Sequence, residues 1–327
     1  MSVITAVQDV TDFCVCPLCG ANLRLVEDGL SCTACGTRFA ARSGIPILLP
    51  ENTDELRERY LDAYGQVALD DLEEPFEHNR AARHKTLLAF IGDTRGQRVL
   101  DIGSSNAEYL LELDADKKVA LDLALPFLEA IPPDSDVIPV CSDAELLPVR
   151  PGYFDTVILS DVIEHLLEPE RLMERLKAVC RPDTRLIVHV PWKEDLGKYA
   201  ASTYEFTHLR RFDEYSFHQL WRYFTIQRER STYPMLEDPI VFHLKRFLPL
   251  RAYDLLARRY FHGTLAKREY EWRARWIAEL PKRERWLLYF YPPAFRMFEL
   301  RVRREFAATA AVRDTPLRRR LRLPRLR

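Results

Sequence analysis

Apolar residues in this chain fall into two patterns. Between residues 51 and 93 they recur every three or four positions, in DELRERYLDAYGQVAL and EPFEHNRAARHKTLLAFIG. That is the period of a helix face, with Asp54 and Pro75 as starts and Gly92 as a stop. From residue 98 the pattern changes to short, near-continuous apolar runs: RVLDI, KKVALDL, DVIPVC, DTVILSD and TRLIVHVPW. The first four lead into Asp101, Asp122, Asp143 and Asp161, and a helix is predicted from about Pro169 to Val179. Such strands, alternating with helices, predict a parallel sheet covered on both faces. FTIQRER, starting at Phe224, predicts one more strand, and the chain beyond it reads as helices dense in arginine and large aromatics.

At 327 residues and 47% hydrophobic content, the chain can bury a sizeable core. Three parts are expected: residues 1–51, 52–234 and 235–327. WLLYFYPPAF, the longest aromatic-rich apolar stretch, is shorter than the roughly 20 residues that cross a bilayer. The start of the chain lacks a basic segment followed by an apolar run, so the expected location is the cytoplasm. The net charge of −1 conceals a split. Residues 240–327 hold 23 Lys and Arg against 8 Asp and Glu, a net +15, and the rest carries −16. A basic end suits an anionic partner, either the inner face of a membrane or RNA, although a plain solvated face has the same composition. The tail RDTPLRRRLRLPRLR reads as a disordered arm.

Four of the seven cysteines form two CxxC hooks, Cys16 with Cys19 and Cys32 with Cys35, each followed by glycine, Gly20 or Gly36. Four thiolates on two such turns suit tetrahedral Zn²⁺ and leave no open position, so the metal is expected to hold structure. Cys14 is a possible substitute ligand.

The stretch VLDIGSSNAEYL ends a strand at Asp101 and turns through Gly103 into a helix begun near Ala107. Such a turn aims backbone N–H groups at an anion. Asp122 follows about twenty residues later, where a doubly wound fold places a carboxylate for ribose hydroxyls. Taken alone, the loop also suits a nicotinamide cofactor. Ser105 and Ala107 stand where further glycines are expected, and both leave room for a ligand provided neither takes a positive φ.

With those segments on the page, the series DIGSS, ALDL, CSDAELLP, FDTVILSDVIEHL and LIVHVPW resembles the class I S-adenosylmethionine-dependent methyltransferases, especially the UbiE and UbiG-like branch, over about residues 85–232. TRFAARSGIPILLPE, after the second hook, resembles the Trm112-like zinc ribbons over about residues 13–51. The resemblance implies a Rossmann-like sheet with the cofactor across its carboxyl ends. Asp101, Gly103 and Ser105 would face the methionine part, Asp122 and Leu123 the ribose, Asp143 and Ala144 the adenine, and Asp161 the acceptor side.

Three histidines lie on that side. His208, in STYEFTHLRRF, is the first candidate for a base, and Tyr204 and Glu205 are neighbours that could position an acceptor. His165, on a helix after the fourth strand with Glu164, is the second. His189 alternates with valines and reads as a packed histidine. Arg210 and Arg211 could pair with an anionic group of the substrate or simply be solvated. The expected enzyme methylates a small or lipid-linked metabolite at oxygen or carbon. An RNA base methyltransferase and a non-catalytic partner protein with a degenerate fold are the alternatives, and fold alone does not choose among them.

Overall fold

The computed structural model describes residues 9–51, 54–73, 80–194, 196, 205–232 and 295–306. The first part is a four-stranded antiparallel sheet in sequential order: β1 (Leu23–Val26), β2 (Gly29–Cys32), β3 (Arg38–Arg42) and β4 (Ile45–Pro46). Gly29 is required where β2 passes β3, since a Cβ there would lie 2.2 Å from the carbonyl oxygen of Phe39.

The second sheet has seven strands in the order β10-β11-β9-β8-β5-β6-β7. These are β5 (Arg98–Ile102), β6 (Lys117–Asp122), β7 (Val137–Cys141), β8 (Thr156–Ser160), β9 (Arg185–Pro191), β10 (Phe224–Thr232) and β11 (Phe295–Val302). β7, β6, β5, β8 and β9 are mutually parallel, and β11 runs antiparallel between β9 and β10. Each apolar strand buries both of its faces. Leu100, Ile102, Val119 and Leu121 enter one core, while Val99, Ala120, Ile158 and Ile187 enter the other. The described helices are α1 (Glu55–Glu73), α2 (Arg80–Ile91), α3 (Glu108–Glu112), α4 (Leu125–Glu129), α5 (Pro169–Val179) and α6 (Glu214–Leu220). Asp54 starts α1 by accepting from the Arg57 N–H at 2.9 Å, and Gly92 stops α2 at φ +72°.

β11 corrects the helical reading of the C-terminal stretch. FRMFELRV is a strand, because Phe298, Leu300 and Val302 recur every second residue and are all buried. Residues 233–294 therefore join two neighbouring strands of the main sheet. The expected helices over 235–294, the tail and the membrane or RNA contact through 240–327 otherwise lie outside the described residues. Among the described residues no helix is long and apolar enough to cross a membrane.

The small sheet docks on the large one along the edge strand β7. Ile47 bridges Cys141 in parallel, and the Leu48 N–H donates to the Cys141 carbonyl at 2.7 Å. On the following segment Cys14 bridges Val149, and the Arg150 N–H donates to the Phe13 carbonyl at 2.7 Å. Phe13, Leu30, Phe39 and Leu48 share a core with Leu100 and Val157. Fully buried Phe13 packs edge-on against Phe154, and its burial contributes about 2–3 kcal/mol. The docked sheet thus protects the backbone edge of β7 from other strands.

Candidate functional site

The loop after β5 is fastened to the end of β6. The N–H groups of Gly103 and Ser104 donate to the Leu121 carbonyl, and that of Ser105 to Asp122 Oδ2 at 2.8 Å. Asp122 Oδ1 accepts from the Ala124 N–H at 2.8 Å, and Leu123 between them is half-buried. Gly103 sits at φ +70°, where an added Cβ would meet Val162 Cγ2 at 2.4 Å. The two residues in glycine positions do take positive φ, so the loop is strained where glycine was expected: Ser105 has φ 51° and Ala107 φ 62°. Both adopt the left-handed region that costs a side-chain-bearing residue about 1–2 kcal/mol. Ala107 is fully buried and begins α3, while the Ser105 hydroxyl is buried without a hydrogen-bond partner among the described residues. Asp101, behind this loop, is buried with no such partner for either carboxylate oxygen. Burial first, and then the charge of Asp122, push its carboxyl well above the usual carboxylate range.

Asp143 and Ala144 are buried after β7. Asp143 is held by a residue that the sequence pattern did not single out. Arg57, on the first turn of α1, donates to Asp143 Oδ2 and Glu145 Oε2, each at 2.7 Å. Burial raises the Asp143 carboxyl, and the Arg57 charge opposes that rise. α1 continues across the carboxyl ends of the strands: Tyr60 lies 4.8 Å from Tyr64 between ring centroids, and Ala68 packs on Ala124 and Phe127.

The residues expected on the acceptor side gather at the turn after β8. Asp161 is in the left-handed region at φ 55° and accepts from His189 Nδ1 at 3.0 Å, while His189 stacks on Phe295. His189 is thus a buried sheet histidine, as read from its valine neighbours. Glu164 and His165 lie in a turn rather than a helix, closed by the His165 N–H on the Val162 carbonyl at 3.0 Å. His165 Nδ1 meets the Thr207 carbonyl at 2.9 Å, and the His165 ring stands nearly perpendicular to His208, 4.7 Å away. His208 Nδ1 pairs with Glu194. Burial, followed by the neighbouring His208, depresses His165 to about 4, so its imidazole is neutral at physiological pH. Arg210 donates to the Ile163, Leu166 and Leu167 carbonyls and braces this turn. Arg211 is exposed, and Glu205 pairs with Arg59 at 2.8 Å. Tyr204 lies outside the described residues.

The structure brings the four hook cysteines together, with donor atoms within 4.8 Å of one another. Cys16 and Cys35 sulfurs are 3.7 Å apart and those of Cys19 and Cys32 3.4 Å, near the roughly 3.8 Å edge of a tetrahedron with 2.3 Å Zn–S bonds. The two hooks repeat one geometry: Gly20 and Gly36, both at φ 75°, donate back to the Cys16 and Cys32 carbonyls. Cys14 instead packs in the core shared with the large sheet. Sequence spacing therefore singled out the four cysteines that the fold gathers into one cluster. Arg57, Tyr64 and Glu194 carried no comparable signal, because they reach the site from elements far apart in the chain.

Residues 76–225 match the family model described as a methyltransferase domain. The chain is similar, at 14% identity and a TM-score of 0.49, to the Haloferax volcanii complex between the Trm112 methyltransferase activator and a putative methyltransferase, covering 74% of this chain and 96% of that one. It is similar at 15% identity and a TM-score of 0.48 to a Thermotoga maritima SAM-dependent methyltransferase, possibly a histamine N-methyltransferase, covering 74% and 99%. A putative methyltransferase of Bacillus halodurans shares 14% identity at a TM-score of 0.43, covering 68% and 99%. No curated protein sequence matches this chain.

Proposed function

We propose, from the match of residues 76–225 to a methyltransferase domain, that this chain is a class I, S-adenosylmethionine-dependent methyltransferase and that it methylates a small or lipid-linked metabolite at oxygen or carbon. One observation carries the reading. Asp101 is a buried carboxylate without a hydrogen-bond donor among the described residues, beside Asp122, at the ends of adjacent parallel strands. A buried acid without a donor is costly, and the α-ammonium of the cofactor is the kind of group that relieves it. The donor set therefore fits.

In this reading Asp101, Gly103 and Ser105 hold the methionine part, Asp122 and Leu123 the ribose, and Asp143 and Ala144 the adenine side. Asp122 already accepts two backbone N–H bonds and keeps lone pairs for hydroxyls. When bound, the cofactor supplies a methyl group on a sulfonium that leaves readily. The chain's own contribution is to align the acceptor, exclude water and remove a proton from a hydroxyl acceptor. α1, laid over Asp143 through Arg57, excludes water. Asp161 lines the acceptor side, and His208, with His165 behind it, takes the proton. Cys16, Cys19, Cys32 and Cys35 hold Zn²⁺ and so fix the ribbon against β7. The segments DIGSS to LIVHVPW support a place in the UbiE and UbiG-like branch, and the GIPILL closure supports a Trm112-like ribbon. The +15 charge of residues 240–327 supports a peripheral contact with anionic membrane.

Calorimetry with S-adenosylmethionine and with its demethylated product tests the binding site, and binding of both is expected. Silence with both favours the non-catalytic partner reading. Incubation of a cell extract with methyl-labelled cofactor, followed by separation into lipid, small-molecule and RNA fractions, tests the acceptor. Label confined to RNA overturns the metabolite assignment.

A further inference from the structure

His189 occupies a strand position that suits an apolar side chain. It stands between Val188 and Val190 in β9, is 4% exposed, and shares its face of the strand with Ile187, which enters the core. A leucine would pack there at no polar cost, whereas a buried imidazole is expensive unless it is hydrogen-bonded. What it bonds is Asp161, whose Oδ2 accepts from Nδ1 at 3.0 Å. We propose that His189 is a positioning residue for methyl transfer, setting the Asp161 carboxylate to accept a hydrogen bond from a hydroxyl of the acceptor. The proposal deepens the methyl-transfer reading, on which it rests, and selects oxygen over carbon as the methylated atom.

Asp161 is held from two directions by that one residue. β8 and β9 run parallel with Ser160 paired to His189, so Asp161 is the first position past the end of β8. Its own N–H donates to the His189 carbonyl at 3.0 Å, and its carboxylate accepts from the His189 ring. The Ser160 hydroxyl adds a longer contact to the same Oδ2, at 3.4 Å. Between these bonds the backbone is bent to φ 55°, an angle that side-chain-bearing residues rarely adopt and that surrounding structure must impose. Any residue at 189 supplies the carbonyl. Only a side-chain donor fixes where the carboxylate points.

The ring is fixed in turn. Phe295 lies on it with centroids 4.9 Å apart and planes 8° from parallel, which leaves the edge of the imidazole to make the bond. Phe295 begins β11 and pairs with Pro191, so this clamp belongs to the neighbouring strand. On the other side of Asp161, Val162 fills the space that a Gly103 side chain would need. Further along the turn the Glu164 carbonyl accepts from the Leu209 N–H at 2.9 Å, which ties in the segment carrying His208. Asp161 thus joins the cofactor loop to the acceptor segment, and a group preset in this way needs no reorganisation at the moment of reaction. A carboxylate offers more acceptor sites than one imidazole fills, and a hydroxyl is the donor that matches it.

The test uses the full-length, zinc-loaded protein, methyl-labelled S-adenosylmethionine and a cell extract as the source of acceptor. His189→Leu fills the space without a donor. It is expected to lower the labelling rate at saturating cofactor about 10- to 100-fold, while KM for the cofactor stays within about twofold. His189→Asn, whose amide donates from the place of Nδ1, is expected to recover most of the lost rate. Asp161→Ala should match His189→Leu, and the double variant should be no slower than either, because the histidine acts through the acid. Circular dichroism and calorimetry with S-adenosylmethionine check that each variant folds and binds the cofactor. If His189→Leu does not fold, His189→Gln, whose amide lies where Nε2 does, takes its place. An unchanged rate in that variant, no recovery in His189→Asn, losses that add in the double variant, or label on carbon in the wild-type product overturns the proposal and leaves the cofactor site standing. Wild type that binds no S-adenosylmethionine overturns the methyl-transfer reading itself, and wild type that binds it yet labels nothing overturns both.

Discussion

Arg57 reaches 86 positions along the chain to Asp143 and closes a 2.7 Å ion pair with the acid assigned to the adenine side. The same guanidinium holds Glu145, whose side chain is 1% exposed. Arg57→Ala leaves two buried carboxylates facing each other, and a loss of about 2–3 kcal/mol is expected after allowance for partial solvent access. Urea unfolding measures it. Unchanged stability with unchanged cofactor affinity would show that α1 does not cover this end of the site.

Gly103 and Val162 form the tightest joint in the cofactor loop. Gly103→Ala drives a Cβ to 2.4 Å from Val162 Cγ2 at a left-handed φ and is expected to cost about 2–4 kcal/mol. Adding Val162→Ala removes the collision but not the backbone strain. The pair should therefore show a coupling of about 1 kcal/mol or more in a double-mutant cycle.

Ser105 offers the opposite sign. Ser105→Gly relieves a left-handed φ of 51° and a buried hydroxyl without a partner. The larger unfolded-state entropy of glycine offsets part of that gain. A net stabilisation of about 0.5–1 kcal/mol is expected in thermal melts, and a destabilisation would contradict the strain assigned to this loop.

Asp101 gives a pH dependence. Its folded carboxyl titrates well above the unfolded value of 3.8, so the folded state holds the proton more tightly. Stability from this group is present below pH 4 and is lost as pH rises towards the folded value. Asp101→Asn should thus be more stable than wild type at pH 7, with the difference vanishing near pH 4, while cofactor binding weakens. Parallel stability curves for the two proteins from pH 4 to 8 would rule this out.

The ribbon metal should report on the large domain. A thiol-reactive mercurial is expected to release one Zn²⁺ per chain from the four hook cysteines. Cys32→Ser should lower the melting temperature of the whole protein, because Phe13 and Leu48 sit in a core with Leu100 and Val157. An unchanged melt would mean that the two sheets fold independently.

What could be read beforehand follows the physics of each element. β5, β6, β8 and β9 were legible because strands buried on both faces leave uninterrupted apolar runs. The ribbon was legible because metal geometry imposes spacing on Cys16, Cys19, Cys32 and Cys35. β11 was not, since Arg296, Glu299 and Arg301 break an apolar run already crowded with arginines and aromatics. The left-handed backbone at Ser105 and Ala107 was hidden too: both residues are small, and only their hydrogen-bonded surroundings force the angle. The Arg57–Asp143 pair and the support of His208 by Glu194 depend on tertiary approach, which local pattern does not encode.

The position of β11 decides how the arginine-rich stretch should be dissected. Thr232 and Phe295 are directly paired across β10 and β11, so residues 233–294 leave and re-enter the sheet at one point. Cutting the chain after residue 234 would discard the strand bonded to Leu186 through Pro191, and the resulting damage would masquerade as lost ligand binding. Replacing the excursion by a two-residue Asn-Gly turn keeps every ladder bond and isolates what those residues recognise.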